Sequence, residues 1–181
     1  MNIKDLMVFF VYNWYDEVMT YLKDNYTGKI GNPLTSFEVI KNNDVFSFVF
    51  EAHDSSLESF SNKDNDDLWR LNVVEVFLDM GDDFYYEFEV APNGKTFIAK
   101  ISNGNVSFFD CDFFSSNVET SGSTYKVKLV IDLSIFKNKK EIRYNVFRVE
   151  TKNVGDKQNL QALSPTFCDT FHIKDKFISL R

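Results

Sequence analysis

Little in this 181-residue chain offers ready-made chemistry. It has two cysteines, Cys111 and Cys168, and two histidines, His53 and His172. The cysteines lack the close spacing of a zinc or redox motif, and one pair makes no disulfide framework in a chain this long, so they read as packed or partly exposed thiols. Neither histidine stands in a zinc-binding spacing, and no Ser, Cys and His array suggests a nucleophilic hydrolase. Positive charge is short as well: 20 Lys and Arg face 27 Asp and Glu, for a net charge of −7. Phosphate binding needs a clustered cationic footprint, so a nucleic-acid partner is excluded. The one dense basic run, Lys137, Lys139 and Lys140, reads as a solvated turn. Apolar runs are short too. The longest near the start, Leu6 to Tyr12, lacks a small-residue cleavage site, so neither a secretory signal nor a membrane span is expected and the default location is the cytoplasm.

What the chain does have is aromatic: 20 Phe and 8 Tyr, with only 3 Pro and little alanine. That composition favours strands over helices. A coding bias accounts for the abundance of Phe but not for the alternating placement of Tyr86, Phe88 and Val90. The length fits one domain, 1–181, with residues 1–34 as a candidate N-terminal extension. In that extension Met7 to Tyr12 is strand-like, and Val18, Tyr21 and Leu22 recur at helical spacing over Asp16 to Leu22.

From Ser36 the pattern becomes strands and turns. Phe37–Ile40 and Val45–Ala52 form a hairpin with Phe46, Phe48 and Phe50 on one face. A long polar loop over 54–67 leads to strands at about 72–79, 84–91, 95–102 and 105–109, an antiparallel meander separated by Gly-Asp-Asp, Pro-Asn-Gly and Ser-Asn-Gly-Asn turns. After a second polar loop come a strand at Tyr125–Asp132, a helical turn at Leu133–Lys137, a strand at 142–151, a loop from Gln158, and a closing strand near Phe177–Leu180. Eight or more short strands with little helix predict an all-β fold, a two-sheet antiparallel sandwich of immunoglobulin-like or jelly-roll-like form.

The most informative stretch is Asn62 to Gly94. In its strand, Val73, Glu75 and Phe77 share one face, and Val74, Val76 and Leu78 share the other; Trp69 and Leu71 continue the first row if the strand starts early. A carboxylate in such a row is costly to bury, so Glu75 either pairs with a cation or faces a ligand rich in hydroxyls. Glu87 and Glu89 share a face with Tyr85. On the later strand Tyr144, Val146, Arg148 and Glu150 share a face. A guanidinium can bridge two hydroxyls or a carboxylate, so Arg148 either pairs with Glu75 or Glu89 in a cleft or faces solvent.

An ordered series of segments resembles the family-nine carbohydrate-binding modules and the sugar-binding β-sandwiches around them. It comprises Asn62-Lys63-Asp64-Asn65, Trp69, Val74-Glu75-Val76-Phe77, Tyr85 to Val90, Pro92-Asn93-Gly94, Tyr144 to Arg148, Ser164-Pro165-Thr166, Phe171-His172 and Lys176-Phe177, roughly residues 35–181. The resemblance implies non-catalytic carbohydrate binding on the end of a glycan or on a small saccharide. Sugar recognition needs a flat aromatic face for the C–H side of a pyranose and planar polar groups for its hydroxyls. By the resemblance, Trp69, six residues before Glu75, is the stacking indole, where composition alone favours a core Trp. Phe171, with His172 beside it, takes the place of the family's second aromatic, or else plugs the core. Glu75 matches the hydroxyl-binding carboxylate. The family's Arg falls at Glu89 and its Asn at Cys168, two departures that bear on the ligand.

The expected sugar site is therefore Trp69, Glu75, Glu89, Arg148, Phe171 and His172. No cofactor is expected. Family members can carry structural calcium, for which Asp64, Asp66, Asp67 and the pair Asp82-Asp83 offer oxygen ligands, although without a regular calcium-loop spacing. Glycoside hydrolysis needs two carboxylates placed across a cleft, which nothing here fixes, so no enzyme is expected. Two alternatives stand beside sugar binding: a structural or protein-interaction sandwich with a decayed cleft, which would have a protein partner, and a haem-binding sandwich drawing on Met80, His53 or Lys100.

Overall fold

The computed structural model describes residues 20–53, 61–136 and 141–180. The strands are β1 (Thr20–Tyr21), β2 (Lys23–Asp24), β3 (Thr35–Asn42), β4 (Val45–His53), β5 (Val73–Asp79), β6 (Tyr85–Val90), β7 (Thr96–Ser102), β8 (Asn105–Phe108), β9 (Phe114–Ser121), β10 (Thr124–Asp132), β11 (Arg143–Glu150), β12 (Asn159–Ala162) and β13 (Ile178–Ser179). Among the described residues the only helical pieces are 3-10 turns at Leu68–Arg70, Leu133–Ile135 and Lys174–Lys176. All strand pairs are antiparallel. The smaller sheet runs β1-β3-β4-β10-β9 and the larger β2-β12-β11-β5-β6-β7-β8, with β13 on β11. This is the all-β sandwich with little helix that the strand and turn pattern predicts.

Alternation fills the space between the sheets. Phe46, Phe48 and Phe50 of β4, with Tyr125, Val127 and Leu129 of β10, face Val74, Val76, Phe88, Val90 and Val146 of the larger sheet. Turn chemistry fixes the register of the meander. The hairpin between β7 and β8 turns on Asn103-Gly104, both at positive φ, as a two-residue primed turn requires.

The larger sheet is buried on its outer face as well. Val73, Phe77, Tyr85, Ala99, Phe147 and Val149 form a second apolar cluster there with Phe171 and Phe177, which belong to the segment after β12. Every residue of β5 and β6 is buried as a result. One buried side chain holds much of this cover in place. Asn25 donates to the Thr166 hydroxyl (2.8 Å) and to the Cys168 carbonyl (2.9 Å), and its side-chain oxygen accepts from the Thr166 amide (2.8 Å).

Three expectations change. Residues 20–34, set aside as a candidate extension, are woven into the sandwich: β1 pairs with β3, β2 pairs with β12, and Leu22 between them lies in the core. Thr20 and Tyr21 are extended rather than helical; the rest of the Asp16–Leu22 helix and the Met7–Tyr12 strand fall outside the described residues, as does the Lys137–Lys140 run. Two strands arise where the sequence reads as loop. β9 is a largely exposed edge strand whose Phe114 and Val118 pack on the core between polar residues, and β12 has only four residues.

Because Asn25 satisfies groups on a segment about 140 residues away, Asn25→Ala should leave the Thr166 amide and hydroxyl and the Cys168 carbonyl short of partners. The expected loss is about 2–4 kcal/mol, read from urea unfolding. A variant as stable as the native protein would show that the cover is held by its apolar contacts alone.

Candidate functional site

The outer face of the larger sheet opens into a cleft. Cross-strand register sets Glu75 of β5 beside Glu89 of β6 on one side and Phe147 of β11 on the other, with Glu87 one pleat along. Glu75, Glu87 and Glu89 are 2%, 5% and 1% exposed, and each offers a carboxylate oxygen within 4.8 Å of the others. They form the floor of a cleft of about 310 Å³, with walls that include Trp69, Phe97, Gln158, Asp169, Phe171 and His172. Burial raises all three carboxyls. Glu75 and Glu89 rise well above the usual carboxylate range, pushed further by neighbouring charge, from Glu87 on Glu75 and from Glu75 and Glu87 on Glu89. Burial takes Glu87 up to about 7, with a hydrogen bond to Glu89 pulling the other way. Like charges this close cannot all ionise in a low-dielectric site, so at neutral pH the floor holds protons and both donates and accepts hydrogen bonds.

Trp69 rises at the rim. The Leu68–Arg70 turn is pinned by buried Leu68, and the Trp69 carbonyl accepts a 2.6 Å hydrogen bond from the Gln158 side chain, leaving the indole 46% exposed. A second hollow of about 370 Å³ lies on the other side of it, sharing Trp69, Gln158, Leu160 and Asp169 with the first and adding Tyr26, Arg70 and Lys157.

The second aromatic is differently placed. Phe171 lines the cleft but is buried, its ring stacked on Phe147 at 4.1 Å between centroids and 15° between planes. It packs into the outer apolar cluster. His172 lies flat on Phe77 (5.3 Å, 21°), and its Nδ1 bonds the Tyr85 hydroxyl. Burial lowers the His172 pKa and raises that of Tyr85, so the tyrosine donates and the neutral imidazole carries its proton on Nε2.

Arg148 does not join them. Phe147 and Val149 take the outer face of β11, so alternation turns Arg148 into the space between the sheets. There its guanidinium sits 5.4 Å from the Tyr125 ring centroid and donates to Asn72 Oδ1 (3.1 Å) and to the Val73 and Val149 carbonyls. The face shared with Tyr144 and Val146 was read correctly; it is the face opposite Glu75. Nor does Cys168 reach the cleft, since its thiol is turned toward Thr166 and Thr170.

The acidic lead-in also has another task. Asp64 accepts from the Thr96 amide (3.0 Å) and from Lys95 (3.4 Å), and Asp66 from the Ser61 hydroxyl (2.6 Å). These bonds tie the loop to β7 and shape the approach to Trp69. Among the described residues the one group of three potential metal-ligating side chains that converge is the Glu75, Glu87 and Glu89 floor, not the aspartates considered for calcium. Glu87 was left out of the expected site although its signal was present, two residues from Glu89 on the same strand face. Gln158, Asp169 and Thr170 come from loops, where no periodicity points at a cleft.

The fold is a two-sheet β-sandwich similar to those of solved carbohydrate-binding proteins, family-nine modules among them. No family model matches the chain. A provisionally assigned carbohydrate-binding protein from Bacteroides uniformis superposes with a TM-score of 0.74 at 19% identity, over 89% of this chain and 84% of that one. A family-nine module from Caldicellulosiruptor kristjanssonii, solved with glucose and with cellotriose, gives TM-scores of 0.58 and 0.59 at 14% and 15% identity, over 80% of this chain and 74% and 72% of the module. In sequence, 128 residues are 33% identical to an extracellular protein of the fungus Arthroderma benhamiae, covering 66% of this chain and 58% of the relative. The chain thus spans little more than half the length of that relative. No helix among the described residues is long and apolar enough to cross a membrane.

The floor makes stability depend on pH with a definite sign. A carboxyl whose folded pKa lies above its unfolded value of 4.5 contributes stability in full below that value and loses it as pH rises, for Glu87 through about 7. The melting temperature should therefore fall between about pH 5 and about pH 8, and Glu87→Gln should flatten that fall, both read by thermal melts across the range. A native melting temperature that is level or rises over this interval would show that the floor stays ionised without cost.

Proposed function

We propose that the chain is a non-catalytic carbohydrate-binding domain, with the sugar seated in the cleft above Glu75, Glu87 and Glu89 and its apolar face against Trp69. The observation that carries this is the half-exposed indole at the rim of a cleft whose floor is polar. A pyranose presents C–H faces and a hydroxyl edge, and the cleft presents an aromatic plane and a cluster of carboxyl groups at right places to meet both. The second hollow past Trp69 gives room for a further unit, so a short saccharide entering by its end suits the site better than a lone monosaccharide. The glucose and cellotriose held by the structurally similar module fit this reading. Phe171 contributes the edge of a wall rather than a second stacking plate, which makes the grip one-sided.

The carboxyls support binding over hydrolysis. All three stand side by side on one face of the sheet, from the adjacent strands β5 and β6, where a glycosidase sets two groups on opposite sides of the scissile bond. Of the alternatives, an interaction domain with a decayed cleft is disfavoured by the open volume above the floor. Haem binding is disfavoured by placement. His53 ends β4 beside Thr124, at the end of the sandwich where Tyr125 bonds the Val90 carbonyl opposite the start of β5, whereas Met80 follows the end of β5. Lys100 lies over Phe84 and Phe109 at 5.0 Å. The relative's extracellular character gives no support to a cytoplasmic location, and the same sugar-binding role suits a protein working outside the cell.

Titration with glucose, cellotriose and a panel of other soluble saccharides should change the tryptophan fluorescence and give saturable heat. Trp69→Ala should remove the fluorescence response and weaken binding roughly tenfold or more, the loss of about 1.4 kcal/mol or more of stacking and apolar contact. Full affinity in Trp69→Ala, or no binding across the panel, would overturn the proposal.

A further inference from the structure

The composition of the cleft says more about its ligand than that it carries hydroxyls. A site for neutral sugars commonly sets a guanidinium or a lysine beside a single carboxylate, so that its charges balance. Here the lining residues include Glu75, Glu87, Glu89 and Asp169, and among the described residues that line the cleft there is no Lys or Arg. The arginine that would have balanced them faces the other side of the sheet. The basic residues near the site, Arg70 and Lys157, line the hollow beyond Trp69 and not the cleft.

An independent feature points at the missing partner. Glu89 Oε2 is fully buried and has no hydrogen-bond partner among the described residues, a state that costs free energy in a folded protein unless something else occupies the space. The oxygens of the three glutamates converge within 4.8 Å of one another. An ammonium group donates three N–H bonds in a tetrahedral spread, and with bonds of about 2.8 Å its three acceptors stand roughly 4.6 Å apart. Three oxygens within 4.8 Å of one another, under an aromatic rim that also favours a cation, are close enough to be bridged by one protonated amine.

Building on the carbohydrate-binding role, we propose that the preferred ligand is an amino sugar, bound with its ammonium group on Glu75, Glu87 and Glu89 and its ring against Trp69. The amine supplies the positive charge that the side chains of the cleft do not, and it gives Glu89 Oε2 a partner. Acetylation of the amine removes the charge and two of the three N–H donors, so the N-acetylated sugar is a poor ligand for the same floor.

The test is calorimetric titration of the native protein, at about neutral pH and low salt, with glucosamine, N-acetylglucosamine, glucose and calcium chloride. Glucosamine should bind roughly tenfold or more tightly than glucose and N-acetylglucosamine, the difference expected when a buried floor forms charge-assisted bonds. That advantage should shrink as salt is raised and vanish in Glu89→Gln and Glu87→Gln, with weaker glucose binding retained and still dependent on Trp69. Glucosamine no tighter than glucose would overturn the amino-sugar assignment while leaving carbohydrate binding intact. No binding by any of the three sugars, nor across the wider panel, would remove both. Saturable calcium binding that is lost in Glu89→Gln, with no preference for glucosamine, would overturn the assignment in favour of a metal site. Should either Gln variant fail to fold, the ranking of the sugars on the native protein decides the matter by itself.

Discussion

The site depends on a sheet whose two faces are both withdrawn from water. Between the sheets the apolar rows of β4 and β10 meet those of β5 and β6, an arrangement common to sandwiches. On the outside, Phe77, Tyr85, Phe97, Phe147 and Val149 would be exposed if the chain stopped after β12. The segment carrying Phe171 and Phe177 folds back over them, and the cleft is the part of that face the segment does not reach. Three glutamates in the uncovered part are tolerated because burial favours their neutral forms, which makes the polarity of the floor adjustable rather than fixed.

Most of the sandwich is legible in the sequence because its strands carry alternating apolar rows and its turns carry Asn-Gly and Pro-Asn-Gly. The hairpin of β3 and β4 and the meander from β5 to β8 are of this kind. Elements too short or too polar to show a clear apolar row are invisible to such a reading. β9 lies at a sheet edge with few side chains to bury, β12 is too short to show a period, and β1 and β2 are dipeptides recruited by partners far along the chain.

The candidate site divides along the same line. Glu75 and Glu89 could be found because a charge in a strand row is conspicuous, and Trp69 because its spacing from Glu75 resembles that of a known family. Arg148 marks the limit of alternation, which says which residues share a face of one strand, whereas only the pairing register says whether two strands present those faces to the same side. The register that sets Phe147 beside Glu75 turns Arg148 inward, to Tyr125 and Asn72. Its burial between the sheets leaves the acidic floor with a character that no single strand reveals.

The clasp formed by Asn25 ties the behaviour of distant parts together. Its side chain grips Thr166 and Cys168, just ahead of the residues that wall the cleft, while its backbone amide bonds Leu160 and its carbonyl accepts from Phe167. Fraying of the first strand residues and loosening of that wall therefore belong to one cooperative unit, opening and closing together. A molecule lodged in the cleft would hold shut a latch at the other end of the polypeptide, slowing amide exchange in a segment it never touches.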